Sequence, residues 1–186
     1  MLADVSQSAV VVIDVQPSFL KVIEGAADVV TRTGFLVEVA GLLEVPAFAS
    51  EQVPARMGGT EEGLRALLAN MHVPVEGKAV FSAMGCPGFL SWLEASGRTQ
   101  VVISGIETPI CVTQTTVQLL ELGYDVILAY DAIGARSETM HERALGRLQQ
   151  LGAQLAHTEA IAYEWMRTAE HAKFRDALAI LKRYSV

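Results

Sequence analysis

The sequence predicts a doubly wound α/β fold built on a six-stranded, mainly parallel sheet. Three observations carry that expectation. Short β-branched runs alternate with amphipathic helical stretches along the whole chain, the pattern left by strand–helix units. The strongest run, Ala9-Val10-Val11-Val12-Ile13, is apolar at every position, as a strand covered by helices on both faces must be. Of the 186 residues, 51% are hydrophobic and only 19% charged, enough apolar material for a substantial core and too much for a disordered chain. No internal repeat or low-complexity linker interrupts it, and the length suits one domain over residues 1–186. The expected architecture is therefore a three-layer (α/β/α), Rossmann-like arrangement.

Taken in order, residues 9–13 form the first strand. A helix follows over about 28–43, with Leu36, Val39, Ala40 and Leu43 at spacings of three and four residues. Ala47-Phe48-Ala49, just past Pro46, is a short second strand. Thr60 reads as an N-cap with Glu61 and Glu62 in the first turn, opening a helix through Leu64, Leu67 and Leu68. The third strand is placed at 78–81. A helix over 89–95 is stopped by Gly97. Residues 99–104 form a strand, 110–122 a helix ending before Gly123, and 124–130 the next strand. Ser137 caps a helix with Glu138 in its first turn, running to about Leu151 and ending at Gly152. The last strand is 154–156, and Thr158 begins a helical C-terminus.

Charge and cysteine usage exclude several function classes. Lys and Arg number 14 against 21 Asp and Glu, a formal net charge of −7, and the pI is near 5.1. No basic face dominates, which argues against nucleic acid or an anionic membrane as partner. Two cysteines cannot make a disulfide scaffold and read as thiols in a reducing compartment. The N-terminus lacks a basic segment followed by a long apolar stretch, and no run reaches the roughly 20 apolar residues that span a bilayer. A soluble, cytoplasmic domain is expected. No Gly-x-Gly-x-x-Gly follows the first strand, so a dinucleotide site is poorly supported.

Ligands of such sheets bind beyond the carboxyl ends of the strands, and three polar residues stand near strands there. Asp14 closes the first strand and is a candidate base, although an isolated strand-end Asp equally suits a cap or turn. Lys78, in Gly77-Lys78-Ala79-Val80-Phe81-Ser82, taken alone reads as a snorkelling surface residue. Cys111 opens a helix after the turn Gly105-Ile106-Glu107-Thr108-Pro109-Ile110. There the dipole favours a thiolate and free amides can bind an oxyanion. A small buried core cysteine is nevertheless the commoner fate of a free thiol. Cys86 lies in a Gly/Pro turn with no base nearby in sequence. His72, His141, His157 and His171 fall outside these motifs and read as polar helix or surface residues.

Together these segments resemble the isochorismatase-like cysteine hydrolases almost end to end. Val10-Val11-Val12-Ile13-Asp14-Val15-Gln16, the Lys78 segment and Gly105-Ile106-Glu107-Thr108-Pro109-Ile110-Cys111-Val112 are similar to that family's three motifs. Gln114-Thr115-Thr116, Gly123-Tyr124-Asp125-Val126, Asp131-Ala132 and Arg136-Ser137 fit downstream. Ser50-Glu51-Gln52-Val53-Pro54, Met57-Gly58-Gly59-Thr60 and the stretch from Gly152 to Phe174 are similar to the branch of isochorismatase domain-containing proteins. The resemblance implies Asp14, Lys78 and Cys111 as a catalytic trio. It also implies a cis peptide between Ile106 and Glu107, and an oxyanion hole made by the backbone amides of Glu107 and Cys111. Nicotinamidases place an Asp-x-His metal motif where this chain has Ser50-Glu51-Gln52, so neither a metal nor nicotinamidase activity is expected.

The function these readings imply is hydrolysis of a small molecule, an amide or related C–N compound, through a Cys111 thioester and without a cofactor. Vinyl-ether hydrolysis of the isochorismatase type is an alternative, as is a non-catalytic member that binds a metabolite or partner. Phe19, Met84, Phe89 and Pro109 are candidate pocket walls, each equally suited to ordinary core, and Met57-Gly58-Gly59 is expected to be mobile. Ile161, Tyr163, Trp165 and Met166 give the C-terminal stretch more apolar bulk than a solvated tail needs. It packs either on its own domain or on a second subunit, and the resemblance implies a homo-oligomer, dimer or higher.

Overall fold

A computed structural model describes residues 1–184. Its sheet has six strands: β1 (Ser8–Ile13), β2 (Ala47–Gln52), β3 (Val75–Lys78), β4 (Gln100–Ile106), β5 (Asp125–Gly134) and β6 (Gln154–Ala156). They lie in the order β3-β2-β1-β4-β5-β6, and every neighbouring pair is parallel. The winding reverses between β1 and β4, which puts the topological switch point at their carboxyl ends.

The all-apolar β1 is explained by its two faces. Val10 and Val12 face a core completed by Phe35, Leu36 and Val39 of α2 (Ala26–Leu42), Leu64 and Leu68 of α4 (Glu62–Asn70), and Ile161 and Trp165 of α8 (Thr158–Met166). Ala9, Val11 and Ile13 face a second core with Phe89 and Leu93 of α5 (Phe89–Ser96), Leu119 of α6 (Thr113–Glu121) and Leu148 of α7 (Glu138–Gln150). Two short helices, α1 (Pro17–Leu20) and α3 (Pro54–Met57), follow β1 and β2, and α9 (Phe174–Tyr184) packs on α2. The C-terminal stretch packs on its own chain: Trp165 is buried and its Nε1 donates to Ser8 Oγ at 2.9 Å. Among the described residues no helix is long and apolar enough to cross a membrane.

Several boundaries differ from the sequence reading. The third strand lies at Val75–Lys78 rather than 78–81, and Val80 and Phe81 are 57% and 51% exposed. This is an edge strand without an apolar run, so pairing of Val75 to Lys78 with Ala49 to Gln52 decides its position. Lys78 thereby ends the strand instead of starting it. Glu61, not Thr60, caps α4, its carboxylate accepting the Leu64 N–H at 2.8 Å. Ser137 sits at the N-cap of α7 but makes no side-chain cap bond. The helix expected from 110 begins at Thr113, preceded by one π-helical turn over Thr108–Val112. Glycine is required at Gly105, where φ is +110° and a Cβ would lie 2.0 Å from the Ile13 carbonyl oxygen.

Candidate active site

Asp14 follows β1 with a left-handed backbone, φ 53°, and its N–H donates to Ser50 O at 3.0 Å. Two strand spacings, roughly 10 Å, separate β3 from β1, so only a long side chain at the end of β3 can reach it. Lys78 does so: Nζ donates to Asp14 Oδ2 at 2.6 Å and to Gln52 Oε1 at 2.7 Å. The two side chains are 0% and 2% exposed. A buried pair of this kind tolerates its desolvation only when the remaining polar atoms are also bonded. Ser50 Oγ donates to Asp14 Oδ1 at 2.7 Å, and Gln52 Nε2 donates to Ala79 O at 2.7 Å.

Strand alternation explains this use of β2. Ser50 and Gln52 point at the site, whereas Glu51 faces away and accepts from Thr60 N and Oγ1 at 2.6 and 2.8 Å. Gln16 completes the frame, accepting from Gln52 N at 2.6 Å and donating to Gly58 O at 2.6 Å. Ser18 Oγ donates to Met57 O at 2.5 Å. Met57 and Gly58 thus have their carbonyls bonded to the segment that follows β1. Beside Gln52, the β-branched Val53 holds φ 41°, a strained conformation secured by its N–H to Lys78 O at 2.8 Å.

Cys111 lies inside the π-helical turn and is buried. Its thiol is pushed up to about 12, first by burial and then by the Asp14 charge; Lys78 opposes the shift, a hydrogen bond to Asp14 reinforces it and the Glu107 backbone opposes it. Burial and the Asp14 charge thus oppose the thiolate that a helix dipole favours. Desolvation and a neighbouring carboxylate outweigh the end of α6, which starts only at Thr113. The Ile106–Glu107 peptide is cis. The Glu107 side chain turns away to Arg136, whose Nε lies 3.0 Å from Oε2.

A cavity of about 80 Å³ opens over these groups, with Asp14, Gln52, Glu107 and Cys111 beside the apolar Phe19, Phe81, Ile106 and Ile110. Of the expected walls only Phe19 lines it. Phe89 is fully buried in the core against Phe48, Met84 packs on that same core, and Pro109 sits within the π-helical turn outside the lining. A larger cleft of about 310 Å³ lies at the amino ends of β2 and β3, near Pro46 and His72. It carries no nucleophile and is at the wrong end of the sheet for a ligand site.

The isochorismatase domain family matches residues 8–160, most of the chain. The chain belongs to the isochorismatase family. Isochorismatase family protein 1B of Dictyostelium discoideum is 32% identical over 179 residues, covering 95% of this chain and 86% of that one. A Caenorhabditis elegans structure described as MAR1 ribonuclease superposes with a TM-score of 0.91 at 31% identity, covering 98% of this chain and 93% of its own. The YcaC gene product of Escherichia coli, described as an octameric hydrolase of unknown specificity, shares the fold at 24% identity with a TM-score of 0.85, covering 97% and 87%.

In this isochorismatase-family chain the structure brings Asp14 and Cys111 to one cavity, with Lys78 buried behind it and bonded to Asp14. It adds residues that sequence reasoning missed. Ser50 and Gln52 were visible as part of a branch-like segment and as a departure from a metal motif, with no role assigned; period-two alternation in β2 is the signal that faces both inward. Phe81 was hidden in a misplaced strand. His141, read as an outlying polar residue, meets the cysteine turn: its Nδ1 is 2.8 Å from Thr108 Oγ1. Cys86 is buried at the core, with its thiol pushed up to about 12 by burial.

Proposed function

We propose that this isochorismatase-family protein is a cysteine hydrolase of small neutral amides or related C–N compounds. The observation that carries the reading is the shared carboxylate: Asp14 is paired with Lys78 at 2.6 Å and lines the same cavity as Cys111, whose thiol pKa its charge raises. With the thiol's pKa about 12, a free thiolate is scarce near neutral pH, so the proton moves as the nucleophile attacks. Asp14 takes it as the C–S bond forms, and the negative charge passes from the carboxylate to the substrate's carbonyl oxygen.

The sulfur adds to the substrate carbonyl carbon, and the backbone amides of Glu107 and Cys111 receive the oxyanion. Protonated Asp14 delivers its proton to the departing nitrogen as the C–N bond breaks, leaving a thioester. Water, deprotonated by Asp14, attacks the thioester. The carboxylic acid leaves and its displaced thiolate recovers the proton. Formal charges at the site pair off as Asp14 with Lys78 and Glu107 with Arg136, which suits an uncharged substrate. A cavity of about 80 Å³ with largely apolar walls suits a short acyl group. The C. elegans relative is described as a ribonuclease; the charge of −7 and the narrow cavity disfavour RNA here.

The test is ammonia release from a panel of small aliphatic amides, with Cys111→Ala as control and RNA cleavage assayed in parallel. Turnover by the wild type and a loss of at least about 10³-fold in Cys111→Ala is expected. Undiminished turnover in Cys111→Ala rejects the nucleophile; RNA cleavage alone rejects the substrate class. We further propose a homo-oligomer, supported by the octameric E. coli relative and by exposed Val22, Val80 and Phe81. Light scattering that returned a single 20.0 kDa chain would remove it.

A further inference from the structure

We infer that His141 is a positioning residue for the reaction, acting through Thr108 on the turn that carries Cys111 and the oxyanion amides. The inference rests on the cysteine-hydrolase reading above. An oxyanion hole works only when its donors are held to within fractions of an ångström. Here both proposed donors, the amides of Glu107 and Cys111, belong to a segment that is neither strand nor regular α-helix. Its contacts therefore decide its shape.

Thr108 is fully buried at the head of that turn. Its Oγ1 lies 3.0 Å from Gly134 O and 2.8 Å from His141 Nδ1. A carbonyl can only accept, so the single hydroxyl hydrogen goes to Gly134. The hydroxyl lone pair then faces Nδ1, which must carry the ring proton. Burial pushes the His141 pKa below its ordinary value, opposed by Glu138 and Glu142 on the same helix, so the ring is neutral near pH 7 and its one proton sits on Nδ1. His141 thus donates to Thr108, and Thr108 donates onward to the last residue of β5. The chain ties α7 and β5 to a residue directly beside Glu107. Removing the imidazole leaves the Thr108–Gly134 bond and the Thr113 and Thr115 hydroxyl bonds to Thr108 O and Cys111 O in place, so the fold survives while the turn loses its tie to α7 through Thr108.

Two reactions of the same thiol separate positioning from general damage. Acylation by p-nitrophenyl acetate passes through an oxyanion and needs the amides; alkylation by iodoacetamide needs only the sulfur. Both are followed by mass spectrometry at Cys111. In His141→Leu, acylation is expected to slow by about 10- to 100-fold with alkylation within about twofold of wild type. His141→Asn, whose side-chain amide places an N–H near Nδ1, should recover most of the acylation rate. Thr108→Val, which removes the bonds to both His141 and Gly134, should show at least the His141→Leu defect, and adding His141→Leu to it should change little. Acylation of His141→Leu at the wild-type rate, or a parallel fall in both reactions, overturns the inference. If the wild type itself is not acylated at Cys111, the underlying reading fails first and the positioning role with it.

Discussion

At the residue scale, the Asp14–Lys78 pair is where burial and charge meet most sharply. Each side chain is almost fully enclosed, and each is held by a further partner, Ser50 Oγ for the carboxylate and Gln52 Oε1 for the ammonium. Lys78→Met leaves a buried carboxylate without its counter-charge and should cost about 3–5 kcal/mol in urea unfolding at neutral pH. Asp14→Asn combined with Lys78→Met removes both charges and should recover a large part of that loss. A double variant no more stable than Lys78→Met would show that the pair's charges are not what the fold is accommodating. These two residues were singled out in sequence only because their segments resemble a family's motifs. Ser50 and Gln52 were not, because their importance lies in which face of β2 they occupy and what stands opposite.

At the element scale, the approach of β4 to β1 sets the position of the cysteine turn. Gly105 pairs with Ile13 across the strands, and the register of β4 against β5 shifts between Ile103 and Gly105. Gly105→Ala puts a methyl group 2.0 Å from the Ile13 carbonyl oxygen at φ +110°. Backbone atoms cannot move aside cheaply, so a destabilisation of about 3 kcal/mol or more is expected in denaturant titration. Ordinary stability in Gly105→Ala would mean that β4 can retreat from β1. The strands with strong apolar runs were legible from composition alone, since burial on both faces leaves no alternative pattern. The edge strand β3 was not, because Val75-Glu76-Gly77-Lys78 carries no such run and takes its register from β2. The π-helical turn was read as ordinary helix because its residues suit one; the cross-links from Thr108 to Gly134 and His141 belong to other elements.

At the scale of the whole molecule, protons buried with the core make stability depend on pH at the alkaline end. Cys86, Cys111 and Tyr184 are all pushed up to about 12, chiefly by burial, from ordinary values of 9.0 for the thiols and 10.0 for the phenol. The folded chain keeps these protons where the unfolded chain sheds them. Their stabilisation is full below about pH 9 and is lost as pH rises toward 12. His141 acts at the other end. Its lowered pKa means that the unfolded chain binds the proton more readily, so its contribution is full above about pH 6.5 and lost as pH falls below it. Urea midpoints measured from pH 5 to 11 should form a plateau near neutrality with a decline above 9; a flat alkaline limb would contradict the burial of the thiols. The sequence by itself determined the alternating α/β order and the two-sided burial of β1, because these rest on contiguous patterns, while Asp14, Lys78 and Cys111 were singled out by family resemblance. Only the tertiary structure decided that Lys78 reaches across β2 to Asp14, that Phe81 rims the cavity, that His141 bonds to the cysteine turn through Thr108 and that burial raises the pKa of the thiol. Those outcomes depend on desolvation and on groups brought in from distant strands, and no local pattern encodes them.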